Sequence, residues 1–112
     1  MEVDIFFILV LINEIDEILE NRVKMTEKID EECVYYFKGN FLKIIKSQNG
    51  SRILQKALSK TSKEIFSIIF EEIKTYLSDL LVDSYANYFC QRFYDVLDFY
   101  EKIEFLNQVK KF

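Results

Sequence analysis

Two polar triplets, set 36 residues apart, are the residues of this chain whose types and spacing fit recognition chemistry. Each triplet contains a polar residue, then a residue with a planar side chain, and then a glutamine four positions after the polar residue. The first triplet is Ser51, Arg52 and Gln55, and the second triplet is Asn87, Tyr88 and Gln91. In a helix, side chains four positions apart share a face, and the adjacent residue lies about 100° round the axis. A carboxamide both donates and accepts hydrogen bonds, so each pair can address the Watson–Crick edge of an unpaired base while the flat group stacks on that base. The spacing therefore predicts two edge contacts and one stacking contact from each triplet.

The sequence around the triplets repeats with the same offset. The stretch 47–56 returns as 83–92, the apolar positions coincide, and Gly50 falls on Ala86. Lys56 and Arg92 also occupy equivalent positions, where we expect them to contact phosphates. Periods of this length are typical of α-solenoids, in which each repeat packs only against its neighbours.

Composition favours a helical protein without catalytic chemistry. The 112 residues are half apolar, which suits one domain with a core, and the absence of proline with only two glycines removes the turn chemistry that sheets need. Histidine is absent, and with it the commonest general base and metal ligand. There is also no nucleophilic triad, phosphate-binding loop or metal-ligating set in the sequence. We therefore expect no enzyme activity and no cofactor.

The two cysteines, Cys33 and Cys90, have no metal-like spacing and form no disulfide framework. This usage is typical of a reducing compartment, here taken to be the cytoplasm. Cys90 falls at an apolar position of the repeat and has no histidine to activate it, so we expect it to be a core residue rather than a nucleophile.

Charge is distributed unevenly along the chain. The total is −4, but residues 1–42 carry a net of −6, residues 43–63 a net of +6 with no acid, and residues 64–112 a net of −4. A basic block centred on the first triplet is the electrostatic footprint expected of a nucleic-acid contact.

Apolar periodicity and capping signals predict eight helical segments. The segments are Val3–Lys24, Thr26–Phe37, Phe41–Lys46, Gly50–Ser59, Ser62–Leu77, Ser78–Val82, Tyr85–Val96 and Phe99–Lys111. Three of them have capping signals, namely Thr26 as the N-cap of the second, a capping box at Thr61–Glu64 before the fifth, and a cap at Asp98 and Glu101 before the last. Ile18 and Tyr76 are both expected to face the core. The apolar run Ile5–Ile12 is too short to span a bilayer, so we expect no membrane contact. Glu71 and Glu72 are expected to be solvated.

The sequences Gly-Ser-Arg-x-x-Gln-Lys at 50–56 and Ala-Asn-Tyr-x-x-Gln-Arg at 86–92 resemble the Pumilio-homology RNA-binding repeats, and the resemblance covers about residues 40–112. It implies an all-α, right-handed solenoid of three-helix repeats, at about 40–75 and 76–111, with the start of a third repeat and an N-terminal helical cap over 1–39. It also implies that the first triplet selects adenine and the second uracil. Because members of the family bind RNA antiparallel to the chain, the implied sequence is 5′-UA-3′. The resemblance further implies that this dinucleotide belongs to a UGUA-type element in an mRNA 3′ untranslated region. The implied role is post-transcriptional and translational regulation.

The resemblance also predicts a partial domain, because a third triplet is expected 36 residues after the second and that position lies beyond Phe112. Recognition of only two bases is expected to give weak RNA binding. Ile103, Leu106 and Val109 are expected to form an open apolar face, which a partner protein would cover. The alternative is a helical-repeat protein–protein interaction module whose concave face takes a peptide. That alternative is favoured if Gln55 and Gln91 lie on opposite faces.

Overall fold

The computed structural model describes residues 28–111 together with Glu14, Glu17, Ile18 and Asn21. Within these residues the chain is built from helices and turns, without a strand. The helices are α1 (Glu31–Phe37), α2 (Phe41–Lys46), α3 (Gln48–Ala57), α4 (Lys63–Ile73), α5 (Leu77–Val82), α6 (Ala86–Val96) and α7 (Phe99–Lys110), with 3₁₀ turns at Leu58–Lys60 and Lys74–Tyr76. No helix in the described part of the chain has the length and apolar character needed to cross a bilayer.

The first predicted helix, Val3–Lys24, falls largely outside the described residues. Ile18 is helical but 59% exposed, so its predicted place on a buried face is wrong. Thr26 and the run Ile5–Ile12 lie outside the described residues. The second helix was predicted to begin too early, because residues 28–30 are not helical and α1 is capped instead by Asp30, whose carboxylate accepts a hydrogen bond from the Cys33 N–H at 2.9 Å.

The six helices after α1 form two equivalent units. Helices α2, α3 and α4 make the first unit, and α5, α6 and α7 make the second unit, in which α7 begins 36 residues after α4. Helix α3 packs against α6, and α5 against both α6 and α7. The predicted short helix Phe41–Lys46 is confirmed, and the other helices of the two units lie within a few residues of their predicted bounds apart from α4.

The predicted helix Ser62–Leu77 is wrong in its last four residues. Helix α4 ends at Ile73, a 3₁₀ turn follows, and α5 begins at Leu77. A 3₁₀ turn has three residues per turn rather than 3.6, so it rotates the next side chains away from the expected face. Tyr76 is consequently 48% exposed, whereas Leu77 is buried.

The two predicted capping boxes have opposite outcomes. The box at Asp98 and Glu101 is confirmed, since each side chain accepts a hydrogen bond from the backbone N–H of the other. The box at Thr61 is wrong, because the N-cap of α4 is Ser62 and the Thr61 hydroxyl is engaged elsewhere. It donates to the Ala57 carbonyl at 2.7 Å and accepts from the Ile29 N–H at 3.0 Å, which ties the segment before α1 to the first unit.

A buried aromatic cluster joins the two units; its members are Phe66 and Phe70 of α4, Phe89 and Phe93 of α6, and Phe105 of α7. Phe66 meets Phe93 edge to face at a centroid distance of 6.1 Å, and Phe70 stacks on Phe105 at 6.4 Å. Each phenylalanine is at most 5% exposed. Because aromatic side chains bury a large area, this cluster is a substantial apolar contact that holds α4 against α6 and α7.

Polar contacts between the units lie around the aromatic cluster. The Lys74 ammonium donates to Glu104 at 2.9 Å and to Glu71 at 3.0 Å, and the Ser67 hydroxyl donates to Glu101 at 2.9 Å. The hydrogen bond to Glu104, followed by that to Glu71, raises the pKa of Lys74 above its usual value. These contacts fix the orientation of α7 against the first unit rather than supply much stability, since exposed ion pairs contribute little.

Glu72 is not a free solvated carboxylate, contrary to the prediction. Its two oxygens accept hydrogen bonds from the backbone N–H groups of Gly39 and Phe41, the second at 2.8 Å. Gly39 has φ +89, a left-handed conformation that glycine adopts without strain, and it lies in the turn between α1 and α2. Glu72 therefore holds the N-terminal turn of α2 against α4.

Gly50 is required by the close approach of α3 to the end of α2. A Cβ at this position would lie 2.3 Å from the Ile44 carbonyl oxygen and 2.5 Å from Ser47 Oγ. The same Ser47 oxygen accepts a hydrogen bond from the Gly50 N–H at 3.0 Å and caps α3. In the second unit, Asp83 Oδ2 accepts from the N–H of the buried Ala86 at 2.8 Å, so a different cap accommodates the methyl group.

We expect Gly50→Ala to lower the free energy of unfolding by about 2 kcal/mol, because the added methyl group forces α3 away from Ile44 and Ser47. The measurement is urea denaturation followed by circular dichroism. Asn49→Ala, at the exposed neighbouring position of the same helix, is the control and should change stability by less than about 0.5 kcal/mol. Equal stability of the two variants would contradict the packing constraint.

Glu72→Gln should destabilise the fold by about 1–2 kcal/mol, since it weakens two hydrogen bonds from backbone N–H groups to a charged acceptor. Glu71→Gln is the matched control and should cost less than about 1 kcal/mol, because it removes only an exposed ion pair. Both are measured by the same denaturation; a larger loss for Glu71→Gln would show that Glu72 does not hold α2.

Candidate nucleic-acid interface

The two triplets lie on α3 and α6, which pack side by side. Each helix begins at a capped N-terminal turn, with Ser47 accepting from the Gly50 N–H in one case and Asp83 accepting from the Tyr85 and Ala86 N–H groups in the other. Because the cap fixes where the helix starts, it also fixes the direction in which the polar residue of each triplet points.

In the first triplet, Ser51 is buried and Arg52 is exposed. Ser51 is 2% exposed, and its hydroxyl donates to the Tyr85 carbonyl oxygen of the second unit at 2.9 Å. The same hydroxyl oxygen accepts a hydrogen bond from Gln55 Nε2 at 3.0 Å. Gln55 is half-buried and keeps its carbonyl oxygen and its second N–H for a ligand.

In the second triplet, the polar residue is held within its own unit. Asn87 Nδ2 donates to the carbonyl oxygens of Asp83 at 2.6 Å and Ser84 at 3.2 Å, and Asn87 Oδ1 accepts from Gln91 Nε2 at 3.3 Å. Tyr88 is 59% exposed and Gln91 is exposed. As predicted, each triplet therefore places its polar residue and its glutamine on one helix face.

A surface hollow of about 300 Å³ brings the first triplet together with Tyr88 of the second. It is lined by Gln48, Ser51, Arg52, Gln55, Tyr85 and Tyr88. One flat side chain from each unit, Arg52 and Tyr88, thus borders the same space as the Gln55 carboxamide. Asn87 is not among the lining residues, and Gln91 lines a separate hollow of about 400 Å³ with Leu81, Tyr94 and Leu106.

Sequence reasoning missed Gln48 and Tyr85 as residues of this hollow. Tyr85 is 42% exposed and contributes both its ring and the carbonyl that binds Ser51. Its counterpart in the first unit is Asn49, so comparison of the repeats gave no signal for it. Its position two residues before Asn87, at the N-cap of α6, is the one indication available in the sequence.

The basic residues of the first unit are exposed around α3. Lys56 and Arg92 lie at equivalent positions of α3 and α6, and both are exposed. The other members of the basic block that are exposed are Lys43, Lys46, Lys60 and Lys63. A surface with several exposed cations beside stacking groups has the chemistry of a single-stranded nucleic-acid site.

A sequence profile described as the Pumilio-family RNA binding repeat matches residues 40–74 and 77–109, so that one match covers each unit and its triplet. The chain belongs to the Pumilio family. This is an RNA-binding, non-enzymatic family, and its repeats account for the two three-helix units seen here.

Curated relatives carry the same family name. A Pumilio domain-containing protein of Schizosaccharomyces pombe is 38% identical over 56 residues, which is 50% of this chain and 8% of that protein. A second Pumilio domain-containing protein of the same organism is 34% identical over 73 residues, 65% of this chain and 9% of that protein. Pumilio homolog 12 of Arabidopsis thaliana is 27% identical over 74 residues, 66% of this chain and 12% of that protein. The match spans about a tenth of each relative, and no solved structure gives a significant match.

Cys90 is a buried residue of the second Pumilio repeat, as predicted. Its side chain is 0% exposed, and burial, followed by the negative charge of Asp83, raises the pKa of the thiol to about 12. Since the thiolate is the reactive form, the folded protein holds this sulfur in its inert form.

We expect the free energy of unfolding to fall between pH 9 and about pH 12 more steeply in the wild type than in Cys90→Ala. In this range the unfolded thiol has released its proton while the folded thiol retains it, so the folded state binds more protons and loses stability as the pH rises. The measurement is urea denaturation at several pH values. Parallel pH profiles for the two proteins would contradict the raised pKa.

Proposed function

We propose that this chain binds single-stranded RNA sequence-specifically through the α3–α6 face and recognises 5′-UA-3′. The observation that carries the proposal is the hollow in which Arg52 and Gln55 of one Pumilio repeat face Tyr88 of the next. A flat base fits between a guanidinium plane and a phenol ring, and the Gln55 carboxamide beside them offers one donor and one acceptor.

The residues have three roles in this proposal. The adenine edge is addressed by the Ser51–Gln55 pair, in which Gln55 is the side chain exposed to the base, and the uracil edge by Asn87 with Gln91. Stacking is supplied by Arg52 and Tyr88, and phosphates are bound by Lys56 and Arg92. The hydrogen bond between the polar residue and the glutamine of each triplet supports the pairing, because it keeps both side chains on one face.

We extend the proposal to the biological role. The target is an mRNA 3′ untranslated region with a UGUA-type element, and binding in the cytoplasm contributes to post-transcriptional and translational regulation without catalysis. In this proposal residues 1–39 form an N-terminal helical cap and 40–112 a partial, right-handed repeat domain. The length of the matched relatives supports a larger assembly of repeats for the complete recognition site.

A protein surface that covers the second unit is a further part of the proposal. Phe70 of the first unit is 1% exposed because the second unit covers it, whereas its counterpart Leu106 is 46% exposed. Leu58 is 3% exposed and its counterpart Tyr94 is only half-buried. Another helical repeat, or a partner protein of similar shape, would bury this face in the same way.

The protein–protein interaction module remains the second candidate. It is favoured by the apolar face of the second unit, where Ile103 and Leu106 are 43% and 46% exposed. The hollow favours RNA, since it is lined by residues with carboxamide, guanidinium and phenol groups, which can stack on a base and hydrogen-bond to its edge.

The RNA affinity expected of this chain determines which binding assay is suitable. Each stacked base contributes about 1–3 kcal/mol, so two bases supply roughly 2–6 kcal/mol. A micromolar dissociation constant needs about 8 kcal/mol. The chain by itself is therefore expected to bind RNA with a dissociation constant near the millimolar range, which suits titration by NMR or fluorescence.

The test compares short single-stranded RNAs that differ only by replacement of UA with CC. We expect weaker binding of the CC sequence, by about tenfold, because cytosines stack equally well but their edges do not match the two carboxamides, and each lost hydrogen bond is worth about 0.5–1.5 kcal/mol. Gln91→Ala should reduce the preference for uracil over cytosine, and Lys56→Ala should weaken all sequences by a similar factor and reduce the salt dependence.

Lys111→Ala is the control for Lys56→Ala, because it removes an exposed lysine beyond the end of α7, away from the hollow. Equal affinity of the wild-type chain for the UA and CC sequences would overturn the proposed specificity. Saturable binding of a peptide without any RNA binding would establish the second candidate instead.

A further inference from the structure

The polarity of the hydrogen bonds around Ser51 is fixed by a carbonyl group. A serine hydroxyl has one proton, and here that proton is donated to the Tyr85 carbonyl oxygen at 2.9 Å. A carbonyl cannot donate in return, so the Ser51 oxygen is left as an acceptor. Gln55 must then turn its NH₂ group towards Ser51, which is the contact seen at 3.0 Å.

This arrangement leaves little of Ser51 for a ligand. The residue is 2% exposed, its proton is engaged by Tyr85 and its oxygen by Gln55. The Gln55 carboxamide is half-buried and borders the hollow. Of the two side chains, Gln55 is the one that can touch a base, and Ser51 determines which way its amide faces.

The second triplet reaches the same result with carbonyl groups of its own repeat. Asn87 Nδ2 donates to the Asp83 and Ser84 carbonyl oxygens, so Asn87 presents its oxygen to the NH₂ group of Gln91. The two glutamines are thus oriented alike. They differ in the groups that fix the polar residue beside them. Ser51, beside Gln55, is fixed by a carbonyl of the following repeat, whereas Asn87, beside Gln91, is fixed by carbonyls of its own repeat.

We propose that Ser51 is a positioning residue, which sets the orientation of the Gln55 amide through a hydrogen bond to the Tyr85 carbonyl of the second repeat and does not itself contact the base. Recognition by the first triplet then depends on the docking of the repeat that follows it. Recognition by the second triplet does not depend on a following repeat, because Asn87 is held by carbonyl groups of its own repeat. The inference rests on the proposed RNA-binding function and deepens it.

The orientation of the amide matters because a flipped carboxamide exchanges its donor and its acceptor. The Watson–Crick edge of adenine carries an N–H donor beside a ring-nitrogen acceptor, and the edge of guanine carries the reverse order of a carbonyl acceptor beside an N–H donor. A fixed Gln55 amide matches one order and opposes the other. An amide that rotates freely accommodates both and loses the distinction.

The test is a double-mutant cycle on base preference, with Ser51→Ala, Gln55→Ala and the double variant. The quantity measured is the ratio of dissociation constants for RNAs with UG and with UA. We expect Ser51→Ala to lower this ratio by about three- to tenfold, the worth of one hydrogen bond, and to leave the preference for uracil over cytosine at the other position unchanged. In the Gln55→Ala background, Ser51→Ala should have no further effect on the ratio.

Ser59→Ala is the matched control, since it removes a hydroxyl from an exposed position in the 3₁₀ turn after α3, outside the hollow, and should change neither preference. A further, additive loss of preference from Ser51→Ala in the Gln55→Ala background would show that Ser51 contacts the base directly and would overturn the inference. An unchanged ratio in Ser51→Ala would overturn it as well. Equal binding of UA and CC by the wild-type chain identifies failure of the proposed function itself, with which the inference falls.

A measurement on the wild-type chain without RNA covers the case in which Ser51→Ala does not fold. The side-chain NH₂ protons of Gln55 should exchange with solvent more slowly than those of Gln48, which is exposed and lies in the same helix. Equal exchange of the two side chains would show that the Gln55 amide is not held by Ser51, and would overturn the inference independently of the variants.

Discussion

Aromatic packing between the two repeats is the contact on which the rest of the structure depends. Phe66 and Phe70 of α4 meet Phe93 and Phe105 of the second repeat in a buried cluster, which holds α4 against α6 and α7 while α3 packs directly against α6. The Ser51 hydroxyl reaches the Tyr85 carbonyl only when the two repeats are docked in this way. The apolar contact is non-directional and supplies most of the stability, whereas the polar contacts give the arrangement its detailed geometry.

The two repeats use different residues to reach one geometry at the start of the recognition helix. In the first repeat a serine cap and a glycine allow α3 to approach the end of α2, where no Cβ fits. In the second repeat Asp83 caps α6 with two hydrogen bonds and the helix begins with the buried Ala86. The first repeat thus combines a serine cap with glycine, and the second repeat combines an aspartate cap with alanine. The space for a side chain at the start of the recognition helix depends on which cap is present.

Selectivity and attraction arise from different parts of the surface. The carboxamides of the triplets offer directional hydrogen bonds, which distinguish one base edge from another but act over short distances. The exposed cations of the basic block act over longer distances and attract any RNA backbone, although the chain as a whole has a net charge of −4. The basic stretch at residues 43–63 of an otherwise acidic protein therefore concentrates the attraction in the part of the chain that carries the first triplet.

The sequence by itself determined the repeat, the helices of both units and the membership of each triplet, because apolar periodicity and the 36-residue offset report local helix faces. It also predicted the buried, unreactive Cys90 and the cap at Asp98. Only the tertiary structure decided the contacts between residues about thirty positions apart. Thr61 binds Ile29, Glu72 binds the turn at Gly39, and Ser51 binds Tyr85, none of which a local pattern can reveal. Ser51 therefore looks like an exposed contact in the sequence and is a buried hydrogen-bonding partner in the fold, because its environment is made by the neighbouring repeat.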